Sequence, residues 1–297
     1  MAPNNIEHVP VLLAEVLDWL KPHAGDVFVD GTLGAGGHTR ALAEHVGDMG
    51  RILAFDRDPA ARAAAEQRLR GLPVTLVDAN FCELAEVLHQ LAIPKVDGVL
   101  LDLGLSSEQL ADSERGFSFD SDGPLDLRFN TSEGRPAWEW LERLDADALA
   151  DVIYEFGEER HSRRIARRIV ERRMERPIRT AGELARLVRS SASQARGGQR
   201  IDSATRTFQA LRILVNDELR SLDLALARVP DCLRPGGRLA VISFHSLEDR
   251  RVKQAFRDDP RFLVLTRKPV RPAEAEVARN PRARSAKLRV AARSENE

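Results

Sequence analysis

The chain is poor in several residues, and each shortage excludes something. Cysteine occurs twice among 297 residues, as Cys82 and Cys232, with no CxxC pair and no Cys/His cluster. A zinc-knit or disulfide-stapled fold is therefore excluded, no metal site is expected, and the two thiols suit a reducing compartment. Only 5% of residues are aromatic. Lysine is confined to positions 21, 95, 253, 268 and 287, so the cations are overwhelmingly arginine. No apolar run approaches the roughly 20 residues of a membrane helix. The first residues lack a basic stretch followed by an apolar one, so a cytoplasmic protein without membrane association is expected. There is no G-x-x-x-x-G-K-[ST], which removes a P-loop ATPase.

What is present is charge, 31% of residues against 43% hydrophobic, with a formal net of −1. That mixture is globular rather than disordered. The total conceals a division: residues 1–157 carry a net of −16 and residues 158–297 a net of +15. Two basic islands dominate the second part, 158–212 with a net of +9 and 267–297 with +5, separated by a nearly neutral stretch.

The first third alternates short apolar runs with helical patterns. Strands are expected at 27–29, 51–55, 74–77 and 96–101, separated by helices at 37–47, 59–69 and 83–91. Strands alternating with helices of this length imply right-handed crossovers and a parallel sheet covered on both faces. Residues 112–136 are irregular, and 137–193 read as helices, with Thr180 and Glu183 forming a capping box. Residues 194–203 read as a loop, and one long helix follows at about 204–229. A turn at 233–237 leads into a fifth strand, 238–244, and shorter strands are expected at 262–265 and 288–291. The expected organisation is a discontinuous α/β domain, 1–112 with 210–297, and an inserted helical domain, 113–209.

Between the first strand and its helix lies Asp30-Gly31-Thr32-Leu33-Gly34-Ala35-Gly36-Gly37-His38. Glycines let a ligand approach the main chain, and the helix N-terminus suits an anionic group. Asp56 ends the second strand, where a carboxylate can accept from ribose hydroxyls. A bound nucleoside is the natural inference. The spacing is G-x-x-G-x-G-G rather than G-x-G-x-x-G, which disfavours NAD. An acidic residue before the loop and Pro235-Gly236-Gly237 before the fifth strand resemble class I S-adenosylmethionine-dependent methyltransferases.

Longer motifs narrow this further. Val9-Pro-Val-Leu-Leu, Gly36-Gly-His-Thr39, Leu101-Asp-Leu-Gly-Leu-Ser-Ser107, Arg115-Gly-Phe-Ser-Phe119, Thr205-Arg-Thr-Phe-Gln-Ala-Leu-Arg212, Ser243-Phe-His-Ser-Leu-Glu-Asp-Arg250 and Asn280-Pro-Arg-Ala-Arg-Ser285 together resemble the MraW family of ribosomal RNA small-subunit methyltransferases, in the right order across nearly the whole chain. One departure is a short stretch between Lys253 and Asn280. The resemblance implies a Rossmann-like methyltransferase with an inserted helical substrate domain, acting on N4 of a cytidine in the decoding region of 16S rRNA, within the small ribosomal subunit. It leaves a homodimer open. The implied cofactor residues for S-adenosylmethionine are Gly34, Gly36, Gly37, His38, Asp56, Phe81, Asp102 and Gln109.

Asp102 ends the fourth strand, where amine-directed methyltransferases carry Asp/Asn-Pro-Pro-aromatic. Here Leu-Gly-Leu follows it, so stacking of a target base is unsupported at that point. Asp102 and His245 are the candidate catalytic residues. Arg163, Arg164, Arg167 and Arg168, with Arg206, Arg282 and Arg284, are candidate RNA contacts, since arginine's planar fork suits both phosphate and base. Two other readings stay open on sequence: N-methylation of DNA cytosine or adenine, and an RNA-binding module without catalysis.

Overall fold

The computed structural model describes residues 10–119, 122–191 and 202–295. Val9 of the first motif and most of the loop expected at 194–203 lie outside the described residues. The chain runs α1 (Leu13–Leu20), β1 (Val27–Asp30), α2 (Gly37–Val46), β2 (Arg51–Phe55), α3 (Pro59–Arg68), β3 (Val74–Val77), α4 (Leu84–Gln90) and β4 (Val96–Asp102). It continues through α5 (Ser107–Ala111), α6 (Ala137–Arg143), α7 (Ala146–Gly157), α8 (Ser162–Glu175), α9 (Ala181–Ser191) and α10 (Ser203–Asn216). It ends with α11 (Glu218–Cys232), β5 (Leu233–Ser243), α12 (Ser246–Asp258), β6 (Phe262–Val264), α13 (Glu274–Arg279) and β7 (Lys287–Arg293). Two compact units result, Met1–Ser106 with Leu219–Glu297, and Ser107–Glu218.

The first unit holds one seven-stranded sheet in the order β3-β2-β1-β4-β5-β7-β6. The first five strands of that order are parallel, while β7 runs antiparallel to both β5 and β6. This is the class I methyltransferase fold that the resemblance implies. Successive strand residues face opposite sides. Val29, Leu53, Leu101 and Val241 pack with Leu88 of α4, Leu222 and Leu226 of α11, and Phe256 of α12. Phe28, Ile52, Leu100 and Ile242 pack on the other face with Val16 of α1 and Leu42 of α2. Burial on both faces explains why these strands read as continuous apolar runs rather than alternating ones.

Two expectations need correction. The helix expected over 204–229 is two helices, because Asp217 takes a left-handed conformation with φ 52° between α10 and α11. The segment 233–237 is not a separate turn but the irregular start of β5. There Leu233 pairs with Val96 before the register shifts and Arg238 pairs with Gly98.

The second unit is helical, apart from an isolated bridge between Pro124 and Thr180. Its core includes Leu141, Leu149, Ile153, Ile165, Ile169, Leu184 and Leu211, all essentially inaccessible. Among the described residues, no helix is long and apolar enough to cross a membrane.

Candidate active site

The candidate site lies at the carboxyl ends of β1, β2 and β4. Gly36 caps α2 with φ 80°, a left-handed conformation that favours glycine, and this turns the chain from β1 into α2. Below the turn, Asp30 is buried and serves the loop. Its Oδ2 accepts from Thr39 Oγ1 at 2.6 Å and its Oδ1 from the Thr32 main-chain N–H at 3.1 Å. The Thr32 hydroxyl in turn accepts from the Asp102 N–H at 2.6 Å. The first loop and the end of β4 are thus one hydrogen-bonded corner.

Asp56 anchors the loop from β2. Its Oδ2 accepts from Gly34 N–H at 3.0 Å and its Oδ1 from Asp58 N–H at 2.9 Å. Burial raises its pKa to about 6, more than the two N–H donors lower it, with Asp58 and Asp30 adding repulsion. Asp58 caps α3 by accepting from Ala60 N–H at 3.0 Å. Phe81 opens a short 3-10 turn, Phe81–Glu83, after β3 and is only partly buried. A Cβ on Gly31 would lie 2.9 Å from that of Phe81, so a glycine is needed there for the ring to sit beside the loop.

Asp102 is the most unusual group. A quarter of its side chain is exposed, yet its Oδ1 is enclosed without a hydrogen-bond partner. Its pKa is held well above the ordinary carboxylate range, first by burial and then by repulsion from Asp30 and Glu248. Its Oδ2 lies 3.6 Å from Nδ1 of His38, beyond hydrogen-bond range. The other ring nitrogen of His38 is 3.0 Å from the Val11 carbonyl, so Nε2 is assigned as the N–H donor.

His245 caps α12. Its Nδ1 accepts from Glu248 N–H at 3.4 Å, and its Nε2 lies 3.1 Å from Glu248 Oε1. Glu248 Oε2 accepts from the main-chain N–H groups of Phe244 at 2.8 Å and His245 at 3.3 Å. Glu248 is buried. In sequence Glu248 is one residue of the Ser243–Arg250 motif with no evident role, and its closeness to Asp102 is a product of the fold. A residue at i+3 from a polar cap was the available signal. Among the described residues no cluster could hold a metal ion.

The remaining candidates fall in the helical unit or on the last strands. Gln109 is buried on α5. Arg163, Arg164, Arg167 and Arg168 are exposed on α8. Arg168 is paired with Glu171 at 3.2 Å, whereas the other three have no acidic partner among the described residues. Arg206 turns inward to the fully buried Glu159 at 3.6 Å. Arg282 and Arg284 are exposed on the 3-10 turn Pro281–Ser285 that precedes β7.

The arrangement suits a cationic nucleoside whose amino-acid part carries both charges. Asp30 and Glu248 both repel a charge on Asp102 in a poorly solvated corner, and a positive charge placed there relieves that repulsion. The unpartnered Oδ1 of Asp102 has capacity for a donor.

Comparison with known sequences agrees in kind. A sequence model of the MraW methylase family matches residues 5–294. A Rhodopirellula baltica protein named ribosomal RNA small subunit methyltransferase H is 49% identical, over 97% of this chain and 92% of that protein. A Magnetococcus marinus protein of the same name is 47% identical, over 97% of this chain and 98% of that one. Among solved structures, an rRNA methylase from Streptococcus thermophilus superposes with a TM-score of 0.47 at 12% identity, covering 97% of this chain and 99% of that one.

Proposed function

The chain belongs to the MraW methylase family, and from that premise we propose that it methylates the exocyclic N4 of a cytidine in the decoding region of 16S ribosomal RNA. It is a class I methyltransferase that uses S-adenosylmethionine. The relatives are named for small-subunit ribosomal RNA; the cytidine, its N4 and the decoding region are our reading. The observation that carries it is the acidic corner around Asp102, with one carboxylate oxygen left over at the end of β4.

When bound, S-adenosylmethionine supplies a methyl carbon made electrophilic by its sulfonium sulfur. Asp56 would accept from the ribose hydroxyls, Phe81 would offer its ring to the adenine, and the Gly34–His38 turn with the start of α2 would receive the carboxylate. Gln109 completes the set that the family resemblance implies. An exocyclic amine on a pyrimidine is too weak an acid to be deprotonated beforehand. The protein's task is to align its nitrogen and accept an N–H hydrogen bond as its lone pair localises. Asp102 does this: its carboxylate stabilises the positive charge passing to nitrogen and takes the proton released late. His38 lies beside the other oxygen of that carboxylate. His245 caps α12 and keeps the Phe244–Glu248 corner in place. Arg163, Arg164 and Arg167, with Arg168, Arg282 and Arg284 as the wider set, meet phosphates of the 16S rRNA in the small ribosomal subunit, while Arg206, turned toward the buried Glu159, is not counted among them.

The test is transfer of labelled methyl from S-adenosylmethionine to small ribosomal subunits, to free 16S rRNA and to duplex DNA, followed by nucleoside mass analysis. Label in N4-methylated cytidine from ribosomal substrate is the expected result. Label only in DNA, or on another atom of the RNA, overturns the reading.

A further inference from the structure

In this chain no aromatic residue follows Asp102; Leu103-Gly104-Leu105 stands where other amine-directed methyltransferases place a ring against the target base. The fold brings a ring to the same corner from the neighbouring strand. In the parallel ladder Asp102 pairs with Ile242, and Phe244 lies two residues further along. With period-two alternation both side chains leave the same face of the sheet. Ile242 and Phe244 pack on one cluster with Leu100, which is two residues before Asp102.

The backbone after β4 is shaped around this ring. Leu103 N–H donates to the Ile242 carbonyl at 3.0 Å, lacing the two strand exits together. Gly104 has φ 101°, and a Cβ built on it would lie 3.5 Å from Cδ2 of Phe244. That φ is open to glycine and strained for other residues, so the loop passes the ring edge with no side chain of its own between them. Phe244 is half-buried: part of it rests on the core and part faces outward. Its main-chain N–H donates to the buried Glu248 at 2.8 Å, and the His245 cap holds Glu248. The main chain that carries the ring is anchored before any ligand arrives, which lowers the ordering cost of binding.

We infer that Phe244 is the stacking platform for the target base, delivered from the end of β5 in place of the ring missing after β4. A base lying on that ring has its exocyclic edge beside Asp102 on the adjacent strand. This rests on the RNA methylation reading above. Every base has a π face, and removing a stacked aromatic lowers binding or transfer on the order of 5- to 100-fold.

The experiment uses the full-length protein, S-adenosylmethionine and small ribosomal subunits. It compares Phe244→Leu, which refills the apolar volume without a π face, with Phe244→Tyr, which keeps it. Single-turnover transfer, cofactor affinity by calorimetry and thermal melting are measured for each. The expected result is a tenfold or greater loss of transfer in Phe244→Leu at unchanged cofactor affinity, with Phe244→Tyr within about threefold of the parent. A purely structural role predicts the reverse order, because leucine restores packing and the tyrosine hydroxyl disturbs it. Full transfer by Phe244→Leu, an equal loss in both variants, or a loss accompanied by failed cofactor binding overturns the inference. If the parent protein itself labels no ribosomal RNA, it is the reading of the reaction that falls.

Discussion

At the scale of single residues, Asp56 makes the sharpest statement about pH. Two N–H donors favour its charged form, and burial still raises its pKa from 3.8 to about 6. A carboxylate accepts from ribose hydroxyls better than a carboxylic acid does. Cofactor affinity should therefore fall as pH is lowered from 7.5 through about 6. Asp56→Asn should bind more weakly at pH 7.5, by roughly tenfold for one lost charge-assisted hydrogen bond, and show a flat profile. Calorimetry between pH 5 and 8 decides, and a flat profile in the parent protein contradicts the assignment. Stability without cofactor has the opposite sign. The folded state holds the Asp56 proton where the unfolded chain has lost it, so stability declines as pH rises from about 4 to about 6. Asp56→Asn removes this titration but turns an amide NH2 toward the Gly34 or Asp58 N–H, so it should melt below the parent at pH 4, with the gap narrowing as pH rises to 7. Asp56 was legible in the sequence because a strand end followed by a helix cap is a local pattern. Phe244 and Glu248 were not, because their meaning depends on which strand lies beside β4.

At the scale of elements, the cap of α12 separates two roles for His245. Both ring nitrogens face Glu248, so the imidazole acts first as a helix cap. Losing an N-cap acceptor costs about 0.5–2 kcal/mol. His245→Ala should unfold at lower denaturant, and His245→Asn should recover that loss because the amide oxygen still accepts from Glu248 N–H. If His245 acts only by holding the corner, the Asn variant also recovers transfer. A stable Asn variant with transfer reduced a hundredfold would instead place the ring in the chemistry. The parallel strands and the helices between them were readable because each was bounded by turn residues. The break at Asp217 was not, since the apolar stripe of Phe208, Leu211, Leu219 and Leu222 continues across it. What ends α10 is a demand from elsewhere in its own unit. Asn216 accepts from Phe129 N–H at 2.8 Å and donates to the Leu127 carbonyl at 2.7 Å, holding the irregular segment after α5. No local periodicity records a side chain needed by residues so far back in the chain.

At the scale of the whole molecule, the near-zero net charge is the sum of two chemistries. Carboxylates gather at the strand ends, where a sulfonium cation suits them, and arginines gather in two islands of sequence. The structure resolves the first island into paired and unpaired cations. Arg168, Arg172 and Arg176 stand within 4.0 Å of Glu171, Glu175 and Glu183. Arg163, Arg164 and Arg167 have no such partner among the described residues, and Arg173 donates to the Leu144 carbonyl at 2.6 Å. A neutral ion pair releases few counterions from RNA, whereas an unpaired arginine at a phosphate releases about one. Replacing Arg163, Arg164 and Arg167 with Gln should therefore lower the slope of log affinity against log salt by roughly 2 to 3, at about 0.7–0.9 per contact. Replacing Arg168, Arg172 and Arg176 should lower it by less, and neither set should change cofactor affinity, because none of the six lies in the strand-end corner. Equal slopes for the two triple variants would show that ion pairing does not decide which arginines meet the phosphates. An unchanged slope in both would remove this helix from the RNA surface and leave the island around Arg282 and Arg284 to carry it.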